Sequence, residues 1–308
     1  MKVFGDQFEI YKQEAMQLGF SDMAAAEAGC VESADVFRDW VAEGHNAEME
    51  WFKKNLEKRL NPKLILETVQ SVLVLLSPYT REPCNLGPYK IARYACGDDY
   101  HDHLKKRLKM LCAMMTKDFP QADFRVYVDT GPVAERYWAE QAGLGWIGKN
   151  GCMIKGKDGS YFFISCILTN LVFPFSKRHT FHCGTCTACL DHCPTDAFVK
   201  PGIVDSGKCI SYLNIEHRGD FKASTNLHGW AFGCDICQEV CPWNRKSAGV
   251  NVLDLFKPRE SFRALSSKVI CEMDVPEFRE CFRKSSLKRT KLEGLQRNIK
   301  CLERHECE

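Results

Sequence analysis

The sequence predicts a mixed α/β (α+β) domain, followed by a cysteine-rich module and a short helical tail. Short apolar runs alternate with amphipathic segments before residue 175, eight cysteines crowd between Cys183 and Cys241, and basic amphipathic sequence follows residue 250. A length of 308 residues also favours more than one compact unit. We therefore expect units at 1–175, 176–248 and 249–308.

The composition excludes several classes of protein. Charged residues make up 27% and hydrophobic residues 45%, which is typical of a globular chain rather than a disordered one. The formal net charge is only +2, so a nucleic acid would have to meet a local basic patch. No run approaches the ~18 apolar residues of a membrane helix, and the amino terminus has no signal-peptide core. We expect a cytoplasmic monomer with no membrane partner.

The elements of the first unit follow from periodicity. Residues 6–19 carry apolar side chains on one helical face and end at Gly19, which suits a helix C-terminus. Residues 70–78 form an apolar run bounded by polar and turn residues, which predicts a buried strand. A second helix, with one basic and one apolar face, is predicted over 105–115, and a second strand over 124–129.

Asp129 stands at the carboxyl end of this second strand. Pro132 suits the first turn of a following helix, which we expect to run to Ala142. Because ligand crevices of α/β folds lie at strand ends, a carboxyl group here could be desolvated, hold a proton and act as an acid. The alternative is that Asp129 caps the helix. Farther along, residues 152–155 and 161–169 flank a glycine-rich turn and predict a hairpin.

Glycines at 143, 145 and 148 match the G-x-G-x-x-G pattern of nucleotide-binding loops. That motif needs a strand before it and a helix after it, whereas here a helix precedes and a hairpin follows. We expect instead a glycine-rich wall that lets the backbone approach a large flat ligand closely.

The cysteine-rich module contains two tetrads. The first reads Cys183-x2-Cys186-x2-Cys189-x3-Cys193-Pro, the spacing typical of ferredoxin-like 4Fe-4S binding. The second is a single cysteine, a long insertion, and then a cysteine run that again ends in Cys-Pro. Its members are Cys209, Cys234, Cys237 and Cys241.

In two-cluster proteins the cysteine before proline ligates the other cluster. We therefore predict crossed ligation, with one cluster on Cys183, Cys186, Cys189 and Cys241. The second cluster takes Cys193, Cys209, Cys234 and Cys237. The alternative is a pair of structural zinc sites, since four thiolates also suit zinc. Two Cys-Pro endings at the ferredoxin interval favour the clusters.

Ten further cysteines are scattered. Without a secretion signal they do not indicate a disulfide framework. We expect each to be a small buried apolar residue or an idle thiol. They are Cys30, Cys84, Cys96, Cys112, Cys152, Cys166, Cys271, Cys281, Cys301 and Cys307.

Several long stretches resemble the epoxyqueuosine reductases, which use cobalamin and iron–sulfur clusters in the last step of making the tRNA base queuosine. The most similar are DTGPVAERYWAEQAGLGWIGKN, HCGTCTACLDHCPTDA, CISYLNIEHRG and FGCDICQEVCPWNR. They lie in the expected order, and the likeness is nearly continuous over 129–245. Shorter similar stretches lie at 57–63, 92–101 and 285–298.

The resemblance implies a nitroreductase-like fold for 1–175 and the double-cluster module behind it. It implies that Asp129 is the proton donor to the departing epoxide oxygen. It also implies base-off cobalamin, and no histidine stands in an axial-ligand motif, so we expect no protein imidazole on the cobalt. The implied cobalamin contacts are Arg59, Asp129, Asn150, Ile154, Phe163, Ser211 and Asp235.

The resemblance further implies a tRNA substrate that carries epoxyqueuosine at the anticodon wobble position, and an external low-potential electron donor. Many members continue into a C-terminal helical-repeat domain, and we expect this chain to be a short form without it. The basic tail and the stretch 215–219 then predict the tRNA contacts. These are Asn214, His217, Arg218, Lys288, Arg289 and Arg297.

Two alternatives remain at this point. One is a corrinoid reductive dehalogenase, a class related in its cobalamin and cluster modules but typically exported or membrane-associated. The other is a non-catalytic electron-transfer or cobalamin-handling protein, in which Asp129 would be replaceable. The basic tail and the stretch 215–219 favour the tRNA-modifying enzyme over both.

Overall fold

The computed structural model describes residues 4–245 and 251–306. The helices are α1 Gly5–Gln17, α2 Ala34–Ala42, α3 Glu50–Lys54, α4 Leu56–Leu60, α5 Tyr100–Asp118, α6 Glu135–Gln141, α7 Ala188–Asp191, α8 Ile210–Ile215, α9 Ile236–Glu239, α10 Pro242–Arg245, α11 Glu260–Arg263, α12 Ser267–Glu272, α13 Val275–Cys281 and α14 Lys291–Glu306. The strands are β1 Asp22–Glu27, β2 Ser71–Pro78, β3 Cys84–Leu86, β4 Tyr89–Ile91, β5 Phe124–Val128, β6 Trp146–Ile147, β7 Met153–Ile154, β8 Phe162–Thr169, β9 Phe198–Lys200, β10 Ile203–Val204 and β11 Trp230–Phe232.

An antiparallel sheet of four strands, in the order β1-β2-β8-β5, forms the centre of the first half. Side chains alternate across β2, so Leu73 and Leu75 pack in one core with α1 and α5. Val72, Val74 and Leu76 pack on the opposite face in a core with α6. Because helices cover both faces, every residue of β2 is buried. The antiparallel order makes this half an α+β fold.

The predicted helix over 6–19 and the strands over 70–78 and 124–129 are confirmed within one or two residues. The helix predicted over 105–115 is longer. It begins at Tyr100, because the Asp99 side chain caps it by accepting a hydrogen bond from the His101 amide. The helix after Pro132 begins only at Glu135.

The predicted hairpin of 152–155 with 161–169 is wrong. Met153–Ile154 pairs with Trp146–Ile147, whereas Phe162–Thr169 lies between β2 and β5 in the main sheet. A single bridge between Lys155 and Gly159 links the two predicted partners. The apolar side chains of β8 complete the central cores, and that burial outweighs the local turn signal.

The glycines at 143, 145 and 148 permit close packing within the chain, and their approach to a flat ligand stays a prediction. A Cβ at Gly145 would lie 2.1 Å from the carbonyl oxygen of Ile154, and one at Gly148 would lie 2.6 Å from the Ile154 side chain. Gly143 has a φ of +71°, just after α6 ends. These glycines let the hairpin of β6 and β7 pack on its own chain.

A second sheet, in the order β11-β4-β3, joins the first half to the cysteine-rich module. Leu86 and Ile91 share a core with Phe232 and with Leu295 and Ile299 of α14. The tail is therefore helical, as predicted, and packs against both earlier parts of the chain. Within residues 4–245 and 251–306, no helix is long and apolar enough to cross a membrane.

Two of the scattered cysteines are paired. Cys84 and Cys96 form a disulfide with their Cα atoms 6.0 Å apart. The expectation of unpaired thiols is wrong for these two, because the pairing of β3 with β4 brings both chain segments together. Cys307 lies outside the described residues. The scattered cysteines that stay free are Cys30, Cys112, Cys152, Cys166, Cys271, Cys281 and Cys301.

Candidate active site and cysteine centres

The Asp129 carboxylate lies at the end of β5, beside the first turn of α5. The Tyr100 hydroxyl donates to Asp129 Oδ2 at 2.8 Å, and His101 Nε2 lies 3.4 Å from the same oxygen. Phe163 stacks on the Tyr100 ring with a centroid distance of 4.0 Å, which fixes that ring. The Asp129 side chain is 64% exposed, so a substrate can reach it.

The proton at this site resides on His101 rather than on Asp129. Burial acts to raise the pKa of the Asp129 carboxyl, but hydrogen bonds from His101 and Tyr100 outweigh it and hold the pKa below its usual range. This corrects the expectation that desolvation keeps Asp129 protonated. Burial acts to lower the pKa of His101, but Asp129 and Asp99 outweigh it and raise that pKa to about 9.

Glu135, the first residue of α6, holds the Asp129 backbone. Its Oε1 accepts a hydrogen bond from the Asp129 amide at 2.6 Å. Burial and the nearby Asp129 charge raise the pKa of Glu135 to about 8. The N-cap position of α6 is Ala134, with no side-chain cap, so the structure does not support the alternative that Asp129 caps this helix.

The C-terminal segment closes over the turn that leads into α5. Lys288 Nζ lies 3.3 Å from Asp99 Oδ2. The Asp99 amide donates to the Lys284 carbonyl at 2.7 Å, and Arg259 Nη2 forms an ion pair with Asp98 at 2.5 Å. The tail thus contributes to the position of Asp99, which in turn holds His101.

Three cysteines of the first tetrad and one of the second line the same cavity. A cavity of about 290 Å³ is lined by Cys183, Cys186, Cys189 and Cys241. Trp146 and Trp243, with ring centroids 5.0 Å apart, pack beside it, and Lys149 donates to the carbonyl of Cys186. This is the set that crossed ligation predicts for one cluster, and soft thiolates around a cluster-sized space fit 4Fe-4S.

The other four cysteines are half-buried and interact with one another. Burial raises the pKa of Cys209 and raises that of Cys234 to about 12, and the nearby Cys193 thiol contributes to both shifts. Cys237 interacts with Cys234 and Cys209, and a hydrogen bond joins it to Cys152, a neighbour that the sequence did not predict.

A single zinc ion would need its thiolates at about 2.3 Å from one centre. In the described parts of the chain, no three His, Cys, Asp or Glu side chains are close enough to hold one metal ion. Cys183, Cys186, Cys189 and Cys241 instead line a cavity of about 290 Å³, which favours a cluster over the zinc alternative at this site.

Two family models match the chain. One, described as a 4Fe-4S double cluster binding domain, matches residues 182–244, and one described as epoxyqueuosine reductase QueG, DUF1730, matches residues 59–130. The epoxyqueuosine reductase of Cellulophaga algicola is 40% identical over 295 residues, which cover 94% of this chain and 96% of the relative. The chain belongs to the epoxyqueuosine reductase family. A Synechocystis epoxyqueuosine reductase is 41% identical over 273 residues, covering 87% and 94%.

Solved epoxyqueuosine reductases have the same fold. The crystal structure of a selenomethionine-labelled member matches with a TM-score of 0.88 at 28% identity, over 96% of this chain and 80% of that one. Another holds an epoxyqueuosine-modified tRNA-Tyr stem loop and matches with a TM-score of 0.87 at 28% identity, over the same shares.

Arg59 fits the cobalamin that the family implies. Its side chain is buried, and Nη1 donates to the Val133 carbonyl at 2.8 Å. Its Nε is buried and has no hydrogen-bond partner in the described parts of the chain. The nearby charges of Glu135 and Asp129 act on this guanidinium. An amide oxygen on a corrin side chain is the kind of acceptor that this orphaned donor needs.

The other predicted cobalamin contacts fall into two sets. Asn150 and Ile154 line the cavity of the first cysteine set. Asn150 Nδ2 also donates to the carbonyl of Cys237, so Asn150 lies between the two sets of cysteines. The Ser211 amide is hydrogen-bonded to the Cys209 thiol.

Phe163 and Asp235 are buried, so little of either side chain is accessible to a cofactor. Phe163 packs in the core behind Tyr100. Asp235 is 2% exposed and forms an ion pair with Arg93 at 3.1 Å. Direct corrin contact by either residue stays a prediction.

Two predicted tRNA contacts are structural. Asn214 is fully buried, and its side chain bonds the backbone of Trp230 and Gly233, so the prediction that it contacts tRNA is wrong. Arg297 donates to the carbonyls of Leu213, His217 and Gly219, and its guanidinium lies 4.1 Å from the Phe221 ring. Arg297 thus attaches α14 to the cysteine-rich module, and its assignment to the tRNA interface is corrected.

The remaining predicted tRNA residues also have partners within the chain. Arg289 forms two hydrogen bonds of 2.7 Å with Glu216, and Lys288 pairs with Asp99. Arg218 bonds backbone carbonyls, among them that of Arg289, and His217 pairs with Glu48. Contact of these four residues with tRNA stays a prediction.

Proposed function

We propose that this chain reduces epoxyqueuosine to queuosine at the wobble position of tRNA. The observation that carries the proposal is the exposed Asp129 carboxylate, held by Tyr100 and His101 beside the orphaned Arg59 guanidinium. Two sets of four cysteines, each suited to bind an iron–sulfur electron carrier, lie in the same chain. The names of its relatives, and a tRNA stem loop bound to one member, support this substrate.

The reaction removes the epoxide oxygen as water and leaves an alkene, so it needs two electrons and two protons. Bound cobalamin would supply a strongly reducing cobalt centre, and two 4Fe-4S clusters would supply electrons singly. The residues that would hold the clusters are the eight cysteines of the two tetrads, and Arg59 and Asn150 would hold the corrin. An external low-potential donor must reduce the clusters.

The protein itself contributes protons at defined atoms. His101 Nε2 carries one proton at neutral pH and can transfer it through Asp129 Oδ2 to the departing oxygen. Glu135, with its raised pKa, stores a second proton next to the Asp129 amide. These two stored protons match the two that the reaction consumes.

We further propose that the chain acts in the cytoplasm, since its proposed substrate is tRNA. We also propose that it acts as a monomer. The four cysteines around the first cavity all belong to this one chain, which supports a monomer.

The direct test is turnover by the reconstituted chain. Protein loaded anaerobically with iron, sulfide and cobalamin is mixed with epoxyqueuosine-containing tRNA and a chemical reductant, and the nucleosides are separated and weighed by mass spectrometry. Queuosine should form in proportion to loaded enzyme. Loaded protein that yields no queuosine would contradict the proposal, and dehalogenation of a halogenated phenol under the same conditions would favour the dehalogenase alternative.

A further inference from the structure

The outer face of α5 carries a stripe of lysines that begins beside the catalytic residues. The inner face is buried through Leu104, Leu108 and Leu111. An open depression of about 460 Å³ follows the opposite face, lined by Asp102, Lys105, Lys106, Lys109, Met110 and Ala113. Three cations and one carboxylate therefore concentrate positive charge on a chain whose net charge is only +2.

The stripe is continuous with the active site. Tyr100 and His101, in the first turn of α5, contact Asp129. Lys105 Nζ donates to Thr130 Oγ1 at 2.9 Å, directly beside Asp129. With a rise of about 1.5 Å per residue, Lys105 and Lys109 lie ~6 and ~12 Å along the helix from His101.

These lysines differ from the cations of the tail. Arg289, Arg297 and Lys288 all have carboxylate or carbonyl partners within the chain. Lys106 and Lys109 are exposed, and neither forms an ion pair with any residue in 4–245 or 251–306. Their charge is therefore available to an external anion, whereas Lys288 and Arg289 of the tail are already paired with Asp99 and Glu216.

We propose that Lys105, Lys106 and Lys109 bind the phosphate backbone of the tRNA, next to the nucleotide that reaches Asp129. The inference rests on the proposed function and adds the surface that positions the substrate. A line of three ammonium groups beside an exposed carboxylate matches a polyanion whose one modified base must enter the site. Lysine serves here as a point charge, which suits phosphate contacts without base specificity.

The test uses the loaded chain and the double variant Lys106→Gln/Lys109→Gln. Each lost phosphate contact should reduce the slope of log affinity against log salt by about 1, so the double variant should lose about 2. At ~0.1 M salt its tRNA affinity should fall on the order of tenfold. The single-turnover rate at saturating tRNA should stay at the wild-type value, because Asp129 and its partners are untouched.

Matched controls separate this inference from general charge effects. Lys268→Gln/Lys300→Gln makes the same charge change on exposed positions of α12 and α14 and should leave the affinity unchanged. Lys106→Arg/Lys109→Arg should bind tRNA like the wild type. Asp102→Asn removes the one carboxylate of the stripe and should bind more tightly.

Wild-type affinity and salt slope in the Lys106→Gln/Lys109→Gln variant would overturn the inference, and so would a loss confined to the control on α12 and α14. Either result could accompany normal queuosine formation by the wild type, so it would leave the proposed function standing. Failure of the wild type to form queuosine would instead remove the function on which the inference rests.

Discussion

His101 Nε2 lies 3.4 Å from Asp129 Oδ2, while Nδ1 of the same ring lies 2.6 Å from Asp99 Oδ1. One imidazole therefore connects a carboxylate at the capped start of α5 with the exposed carboxylate at the end of β5. The two acidic groups keep the ring charged near neutral pH. In the proposed reaction Asp129 would be the group that meets the substrate, and His101 would be the positioning residue that restores its proton.

The pH dependence of turnover should follow His101. The pKa of His101 is raised to about 9, so its charged contact with Asp129 is present below that pH and is lost as the pH rises through about 9. The single-turnover rate of the wild type should fall over the same range. His101→Gln should be slower by about 10- to 100-fold, the equivalent of a lost charge-assisted hydrogen bond of about 1.5–3 kcal/mol. Its rate should no longer fall through about pH 9, and only the fall near pH 8, where Glu135 loses its proton, should remain.

The neighbouring His103, which pairs with Asp98 at 3.4 Å, offers a matched control for that variant. His103→Gln should keep the alkaline limb. An unchanged limb in His101→Gln would show that another group titrates there.

Crossed cluster ligation predicts which cysteine pairs act together. The loaded chain should hold about eight iron atoms, four in each cluster. Cys186→Ala/Cys193→Ala changes two residues of one sequence tetrad but removes a ligand from each cluster, so most of the iron should be lost. Cys193→Ala/Cys209→Ala removes two ligands of one cluster, and about half of the iron should remain.

Iron analysis and electron paramagnetic resonance of the reduced variants measure this difference. Cys30→Ala changes an exposed free thiol and should keep the full iron content. If the two double variants gave the opposite pattern, the ligand sets would follow the sequence tetrads rather than cross.

Arg297 should act on stability rather than on tRNA binding. Arg297→Ala leaves three backbone carbonyls without their donor, and the free energy of unfolding should fall by about 2 kcal/mol. Arg297→Lys should restore little, because an ammonium cannot reproduce the planar guanidinium fork. Arg263→Ala removes an exposed pair with Glu260 and should change stability by less than about 0.5 kcal/mol.

Thermal and denaturant unfolding measure the first effect, and tRNA titration of the folded variant measures the second. Normal stability together with weakened tRNA binding in Arg297→Ala would return this residue to the RNA interface.

The sequence predicted those features that depend on neighbours along the chain. The face of α1 and the buried run of β2 follow from local spacing, and the structure has both. The grouping of Cys241 with Cys183 followed from the crossed ligation typical of two-cluster modules, and the structure has it as well. The partner of β8 was missed because strand pairing depends on which distant strands complete the core. The turn residues around Gly159 do not indicate which distant strand pairs with β8.

The same limit applies within the site. Asp129 was found from its position after a strand, but its low pKa depends on His101 and on Tyr100, which lies 29 residues earlier in the chain. The N-terminal cap at Asp99 was the available signal that Tyr100 and His101 open a helix beside that strand end. A run of basic residues does not reveal that the Arg297 guanidinium donates hydrogen bonds to backbone carbonyls of another segment.

The measurement that tests the account most directly is single-turnover queuosine formation by Asp129→Asn under a chemical reductant, so that electron delivery is not limiting. Asparagine keeps the shape of the side chain but cannot accept the proton of His101 and pass it on to the departing oxygen. The rate should fall by about 10²- to 10⁴-fold, the usual contribution of a general acid, while corrin content, iron content and thermal stability stay at wild-type values. A wild-type rate in fully loaded Asp129→Asn would contradict the account and remove this carboxylate from the chemistry.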